Sequence, residues 1–210
     1  MLQIKYILPV FFLVLVVFPI FSQDKPDALE LYRQGKYEEA AKVCREELKE
    51  MPNRMDSYTV LGWSLIGLKD YEEALKVADA GLKVSRYDHR VVEIKGEALF
   101  YLGKTKEALK YFEEYAVLAP TGNRIEKVYY LMGECYVLLR QYNNADTAFS
   151  TALYLLPNIA SWWSRLGYAR EMAGNYAWAL DAYEKALKLN PSLDEAIRGR
   201  SRVKRKLQGG

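Results

Sequence analysis

Residues Tyr71-Glu72-Glu73-Ala74 form a phrase that recurs along the chain at a nearly constant interval. The tyrosine and the alanine, three positions apart, return in three other places, and Thr105-Lys106-Glu107-Ala108 fills the remaining gap. The five alanines of the series are Ala40, Ala74, Ala108, Ala145 and Ala179. Their spacings of 34, 34, 37 and 34 residues indicate an array of repeated units.

Two other residue types keep a constant distance from these alanines. Twelve positions before the alanine, four of the five places hold a glycine, and twelve positions after it four of the five hold a proline. Apolar residues recur every three or four positions, as in Leu61, Leu65 and Leu68, and this pattern breaks near Lys69-Asp70. The periodicity occurs twice in each unit and predicts two helices of about a dozen residues joined by a short turn.

The repeated small residues have a predicted packing role. A glycine inside a helix costs about 1 kcal/mol relative to alanine, so a glycine at the same position of successive units needs a structural reason. We expect each glycine to face the alanine twelve residues later, where the two helices of a unit cross. The predicted packing residues are Gly62, Ala74, Gly96, Ala108, Gly133, Ala145, Gly167 and Ala179.

This arrangement resembles the tetratricopeptide repeat. Its marks in the first helices are Leu61-Gly62, Met132-Gly133 and Leu166-Gly167, with Gly96 in the third unit and Trp163 at the aromatic position three before Leu166. The second helices carry the matching aromatic residues Phe112, Phe149 and Tyr183. The resemblance implies an all-α fold, a right-handed superhelical solenoid of about five two-helix units with a C-terminal capping helix.

We place the repeat domain at 23–208, with units at 24–54, 55–88, 89–125, 126–159 and 160–193 and the capping helix at 194–208. A solenoid needs such a cap, since its last unit would otherwise expose an apolar face. Lys95 and Arg170 depart from the repeat, because they stand where large apolar residues are usual. Additional residues near Thr121-Gly122-Asn123 predict a longer turn after the third unit.

The resemblance also implies a concave groove, lined by the first helix of each unit, that takes a partner polypeptide. Carried onto this sequence residue by residue, the groove positions combine aromatic side chains with carboxylates. The predicted groove residues are Trp63, Glu93, Glu97, Phe100, Tyr130, Glu134 and Tyr168. Aromatic side chains anchor interfaces well, and carboxylates would favour a partner with basic residues.

Each of these groove assignments has a competing structural interpretation. Trp63 and Tyr168 could instead be core residues packed against a neighbouring unit. The glutamates could form an ordinary solvated helix face. Glu93 and Glu97 lie four residues apart and repel each other mildly, so we expect a positive group nearby, either from a ligand or from Arg90. The subclass that grips a C-terminal carboxylate with Lys and Asn is excluded, because only Lys25 fits its pattern.

The first 22 residues have the composition of a secretory signal peptide. Lys5 is followed by 16 uncharged residues, Tyr6–Phe21, and Ser22 provides a cleavage site before a polar segment. The alternative is an uncleaved membrane anchor, although Pro9 and Pro19 shorten the apolar run. With only two cysteines there is no disulfide framework, so the predicted location is the periplasm or cell envelope.

The residues offer no catalytic or metal site and imply no cofactor. His89 is the only histidine and is predicted to be a turn residue, and Cys44 and Cys135 are predicted to be buried and too distant to pair. The basic segment 194–208 is best explained as a solvated cap helix. Contact with anionic lipids is its alternative, and nucleic-acid binding is disfavoured because no aromatic stacking platform accompanies the charges.

We therefore expect a non-enzymatic, exported scaffold that binds a partner polypeptide in its groove and supports a cell-envelope complex. The alternative is a structural or membrane-tethering protein. It would act by self-association, through its basic C-terminal helix, or through an uncleaved N-terminal segment.

Overall fold

A computed structural model describes residues 27–209, which form eleven α-helices and no strand. The predicted signal peptide lies outside these residues. The helices are α1 (Ala28–Arg33), α2 (Tyr37–Glu50), α3 (Met55–Gly67), α4 (Tyr71–Val84), α5 (His89–Tyr101), α6 (Thr105–Leu118), α7 (Ile125–Leu138), α8 (Tyr142–Leu155), α9 (Ala160–Met172), α10 (Tyr176–Leu189) and α11 (Asp194–Gln208). The all-helical solenoid expected from the repeats is confirmed.

The stack curves because its helices contact each other more extensively on one side than on the other. Helices α3, α5, α7 and α9 each pack against the second helix of their own unit and against that of the preceding unit. Within residues 27–209, first helices of successive units also pack against each other in several places, such as α3 with α5 and α9 with α11, whereas second helices show no comparable packing. The odd-numbered helices therefore line the inner, concave side. The first unit is short, since α1 has only 6 residues.

Helix α11 closes the C-terminal end of the stack. It packs against α9 and α10 and buries Ala196, Gly199 and Val203. Its range is the one predicted for the capping helix, and its remaining residues are largely exposed. The apolar side of α11 thus covers the apolar end of the fifth unit and its polar side faces solvent, as a solenoid cap requires.

The repeated glycines of the first helices lie against large side chains, which the sequence did not predict. A Cβ on Gly133 would lie 2.5 Å from the ring of Phe149, and one on Gly167 would lie 2.8 Å from the ring of Tyr183. Gly96 meets Phe112 in the same way, whereas Gly62 meets Ile94 of the next unit. The glycines therefore make room for a large side chain. The five alanines of the series are fully buried in the second helices, and their predicted contact with the glycines stays a prediction.

The two departures from the repeat are explained by ion pairs between neighbouring helices. Lys95 reaches Asp79 of α4 at 2.6 Å, and its ammonium lies 4.5 Å from the ring centre of Tyr111. Arg170 donates a hydrogen bond of 3.0 Å to Asp146 of α8. In both places a charged pair replaces apolar packing without leaving a charge unpaired.

Replacing Gly133 with alanine tests the contact between ring and glycine. Gly133→Ala should lower the free energy of unfolding by about 2 kcal/mol, because overpacking against Phe149 outweighs the better helix propensity of alanine. The measurement is urea unfolding followed by circular dichroism. Adding Phe149→Leu should restore part of the loss, since the double-mutant cycle isolates the contact. If the losses of the two single variants simply add in the double variant, the two residues do not interact and Gly133 has another role.

Candidate functional site: the concave face

The predicted groove residues all lie on the helices that line the concave face. Trp63 belongs to α3, and Glu93, Glu97 and Phe100 belong to α5. Tyr130 and Glu134 lie on α7, and Tyr168 lies on α9. The four aromatic residues are half-buried, so part of each ring packs within the solenoid and part remains accessible.

Glu93 and Glu97 do not present free carboxylates to the groove. Both side chains are buried, with exposures of 0% and 1%. Glu93 accepts hydrogen bonds from Trp63 Nε1 at 3.0 Å and from Arg124 Nε at 2.8 Å. Arg124 Nη2 donates to Glu97 at 2.6 Å, and Lys127 contacts the same carboxylate. The expectation that these glutamates would attract a basic partner is therefore corrected.

The cation expected near these glutamates is Arg124 and not Arg90. Arg90 is engaged elsewhere, with Asp56 at 2.7 Å and Asp88 at 2.8 Å. Arg124 comes from the longer turn that precedes α7 and is the residue directly before that helix. The extra residues of the turn thus do more than lengthen a loop, because the turn brings a guanidinium over the two buried carboxyl groups.

Glu93 and Glu97, called the carboxyl pair from here on, differ in how they hold a proton. Burial, followed by the charge of Glu97, raises the pKa of Glu93 above the usual range of a glutamate. Burial also acts to raise the pKa of Glu97, but the hydrogen bond with Glu93 and the charges of Lys127 and Arg124 lower it overall. Among the described residues, Glu97 Oε2 is buried and accepts no hydrogen bond. Because the pKa of Glu93 is raised and that of Glu97 is lowered, Glu93 is the member of the pair that takes up a proton first as pH falls.

Two more glutamates of the concave face are paired in the same way. Arg165 donates two hydrogen bonds to Glu134, at 2.6 and 2.7 Å, and Arg202 donates two to Glu171, at 2.7 and 2.8 Å. In each pair, as in Glu93 with Arg124, the arginine follows the glutamate by 31 residues and lies in the turn before the next unit, in the next unit or in the cap. We call Arg124, Arg165 and Arg202 the arginine ladder.

The arginine ladder covers three glutamates of the concave face. The side chains of Glu93, Glu134 and Glu171 are only 0%, 15% and 13% exposed. The arginines paired with them are 26%, 28% and 44% exposed in the same order. The carboxylates therefore lie beneath the surface, and the guanidinium groups above them face the groove. Sequence reasoning missed these arginines, although the spacing of 31 residues could have revealed them.

The aromatic side chains of the groove hold the ladder in place. The guanidinium of Arg124 lies 5.4 Å from the ring centre of Trp63, and that of Arg165 lies 5.2 Å from Tyr168. Tyr130 stacks on Trp162 of α9, with ring centres 4.7 Å apart. Such contacts orient each guanidinium and favour its charged form. The two interpretations of the aromatics are both partly met, because each ring packs internally and keeps an accessible part.

The described residues offer little for bond-making chemistry. Within residues 27–209 no group of three or more His, Cys, Asp or Glu side chains could hold a metal ion. Cys44 and Cys135 are free and buried, and burial raises the pKa of both thiols to about 12. A thiol that stays protonated is a poor nucleophile. No helix among the described residues is both long and apolar enough to cross a membrane.

Comparison with known protein families identifies tetratricopeptide repeats in this chain. Three family models described as tetratricopeptide repeat match residues 59–123, 126–159 and 160–193. The last two ranges coincide with the predicted fourth and fifth units. Together the matches extend from α3 to the turn before α11.

Individual proteins similar to this chain are larger repeat proteins or small solenoids. "BBSome complex member BBS4" of Bos taurus is 25% identical over 86% of this chain, which spans 34% of that protein. "Hsp70-Hsp90 organizing protein" of Triticum aestivum is 34% identical over 47% of this chain and 16% of that protein. The chain thus spans about a third or less of the length of these relatives.

Solved structures match over a greater share of their own length. MamA from Desulfovibrio magneticus RS-1, residues 41 to the end, has a TM-score of 0.68 at 26% identity and covers 80% of this chain and 93% of its own. "YrrB: a TPR protein with an unusual peptide-binding site" has a TM-score of 0.68 at 19% identity, with coverages of 83% and 88%. At that identity the second structure supports the fold alone.

Replacing Arg124 with methionine tests whether the ladder stabilises the fold. Arg124→Met should lower the free energy of unfolding by about 3–5 kcal/mol at neutral pH, because it leaves the buried carboxyl pair without its main partner. The loss should shrink near about pH 5, where protonation can replace the guanidinium. Arg86→Met is the matched control, since Arg86 pairs with Glu114 at 2.8 Å on an exposed surface. Equal losses in the two variants would contradict a special role for Arg124.

Neutral variants of the carboxyl pair should have opposite effects. The folded-state pKa of Glu93 is raised, so its protonation stabilises the fold at low pH, and this contribution is lost as pH rises through the folded-state pKa. Glu93→Gln should therefore flatten the pH dependence of stability and make the chain relatively more stable near about pH 8. Glu97→Gln should instead destabilise it at that pH, because the lowered pKa of Glu97 reflects a favoured carboxylate. Urea unfolding at a series of pH values measures both, and identical profiles would refute the assignment of the proton to Glu93.

Proposed function

Because the chain belongs to the tetratricopeptide repeat family, we propose that it is a scaffold that holds a segment of a partner polypeptide against its concave face. Proteins of this family mediate protein–protein interactions. The observation that carries the proposal is the row of half-buried aromatic side chains along successive first helices, namely Trp63, Phe100, Tyr130 and Tyr168. Partly exposed rings on a rigid surface are the usual anchors of protein interfaces.

The concave face is suited to binding because its side chains are already fixed. Trp63 donates to Glu93, and Tyr168 lies against the guanidinium of Arg165, which is itself held by Glu134. A surface whose rotamers are restrained before binding loses less conformational entropy when a partner arrives. The role we propose is binding without catalysis.

We propose in addition that the protein is exported and supports the assembly or stability of a cell-envelope complex. The support is the sequence pattern of residues 1–22, with its single positive charge, apolar run and small residue before Gln23. A partner rich in basic residues is no longer part of the proposal, because the carboxylates that suggested it lie beneath the arginine ladder.

Membrane tethering through α11 has less support than a capping role for this helix. Ala196, Gly199 and Val203 are buried against the solenoid, so they are unavailable to a lipid surface. Arg202 is committed to Glu171 and Lys204 lies 3.7 Å from Glu184, which reduces the charge available to anionic headgroups.

Site-specific crosslinking in the source cells tests the scaffold role. A photoreactive phenylalanine at Tyr168, on the concave face, should give a discrete adduct with a partner polypeptide. The same residue at Tyr154, which is 86% exposed on the second helix α8, is the control and should give none. Adding Trp63→Ala should reduce the concave adduct about tenfold, as removal of an interface aromatic typically does. Equal adducts at both positions, or none at Tyr168, would contradict binding in the groove.

A further inference from the structure

We propose that the C-terminal end of the concave face binds a carboxylate group of the partner polypeptide, in a cavity between α9 and α11. This inference rests on the scaffold role proposed above and names the chemistry of the partner. The cavity has a volume of about 360 Å³, and we call it the cap pocket. The side chains around it that matter here are Ser164, Arg165, Tyr168, Glu195, Arg198 and Arg202.

Two arginines of the cap pocket use one edge of the guanidinium group for an ion pair and leave the other edge without a hydrogen-bond acceptor. Arg165 uses Nε and Nη2 to bind Glu134, and Arg202 uses the same two atoms to bind Glu171. A guanidinium has five N–H donors, so each arginine keeps three more. Neither Nη1 atom donates a hydrogen bond to any residue in 27–209. The pocket therefore has oriented donors without an acceptor.

Arg198 adds a charge that is barely compensated. Its side chain is 73% exposed, and its only ion-pair partner among the described residues is Asp194, one turn earlier on the same helix at 3.3 Å. Exposed pairs of this kind contribute little and exchange readily. Arg198 can therefore turn toward an anion in the pocket at small cost, while Arg165 and Arg202 stay in place.

Hydroxyl groups complete the donor set. Ser164 is buried, with 2% exposure, and its hydroxyl donates to no residue in the described part of the chain. The hydroxyl of Tyr168 is likewise without a partner there, and the ring of Tyr168 forms part of the wall. Charged and neutral donors that converge on one space fit a carboxylate, which accepts from several directions.

Glu195 opposes the binding of an anionic group in the cap pocket, and replacing it provides a second test of the proposal. Glu195 lines the cap pocket, and its charge acts on Arg165. The oxygens of Glu134 and Glu171 are occupied by the ladder, so Glu195 is the acceptor that remains close to the open donors. Removing its charge should strengthen the binding of an anionic group, whereas reversing the charge of Arg198 should weaken it.

The cap pocket differs from the groove positions that the sequence had suggested. Those positions favoured a basic partner, and the Lys and Asn pattern for a terminal carboxylate was absent from them. Here the donors come instead from α9 and the capping helix. A carboxylate can come from an acidic side chain or from the end of the partner chain, and a cavity of this size accepts either.

The experiment follows the arginine side chains directly. The Nε–Hε signals of Arg165 and Arg202 are recorded by NMR in the full chain while hexaglutamate with blocked ends is added. We expect saturable shifts of both signals, and none with blocked hexalysine. Arg198→Glu should weaken the binding at least about tenfold, and Glu195→Gln should strengthen it about threefold.

Lys204→Glu is the matched control for Arg198→Glu. It reverses a charge on the same helix but next to Glu184, away from the cap pocket, and should leave the affinity nearly unchanged. Equal weakening by both variants would show that only net charge matters and would overturn the proposal. Shifts caused by hexalysine, or no effect of Glu195→Gln, would overturn it as well. Blocked and free-acid forms of hexaalanine then separate the sources, since shifts with the free acid alone identify a chain terminus.

This test is independent of the scaffold test. Discrete crosslinking at Tyr168 together with no shift of the arginine signals would leave the scaffold role standing and refute the carboxylate site. Shifts with hexaglutamate but no adduct in cells would establish the cap pocket and count against the scaffold role.

Discussion

The aromatic ring that lies over a glycine is the contact on which the other features of this solenoid depend. In the third, fourth and fifth units, a ring from the second helix fills the space where a Cβ of the first helix would be. The two helices of a unit therefore approach closely, and the first helices of successive units meet on one side of the stack. Because a two-helix unit cannot bury its apolar surface alone, stability comes from these neighbours. The concave face is the side on which the neighbours are closest.

The close approach of helices on the concave side buries carboxyl groups, and the arginine ladder supplies partners for them. Glu93 and Glu97 are buried by the neighbouring helices, and a buried carboxylate without a partner would cost several kcal/mol. The guanidinium of Arg124, from the turn just before the next unit, supplies the partner. The ion pairs of Glu134 and Glu171 repeat this arrangement further along. Polar contacts therefore join units that are otherwise held together by apolar packing.

The repeat period, the helix pairs and the capping helix could be predicted from the sequence, because they depend on local spacing and on residue size. The partner of each glycine could not. A repeated glycine shows that a position must be small, but not that the ring sixteen residues later fills the space. The exposure of the groove glutamates was predicted wrongly for a related reason. The sequence of one unit indicates which of its positions line the groove, whereas the arginine that covers Glu134 is Arg165 of the next unit.

Arg165 and Arg202, which are held by buried glutamates, have a different role in recognition from the exposed Arg198. A guanidinium already bound to a glutamate has part of its charge neutralised, so Arg165 and Arg202 attract a second carboxylate less strongly than free arginines would. Their advantage is orientation, since the glutamate holds the open edge toward the cap pocket and little rotamer entropy remains to be lost. Arg198 has the opposite properties, with an almost uncompensated charge and an exposed side chain. Selectivity for the planar shape of a carboxylate then comes from the ladder, and most of the attraction comes from Arg198.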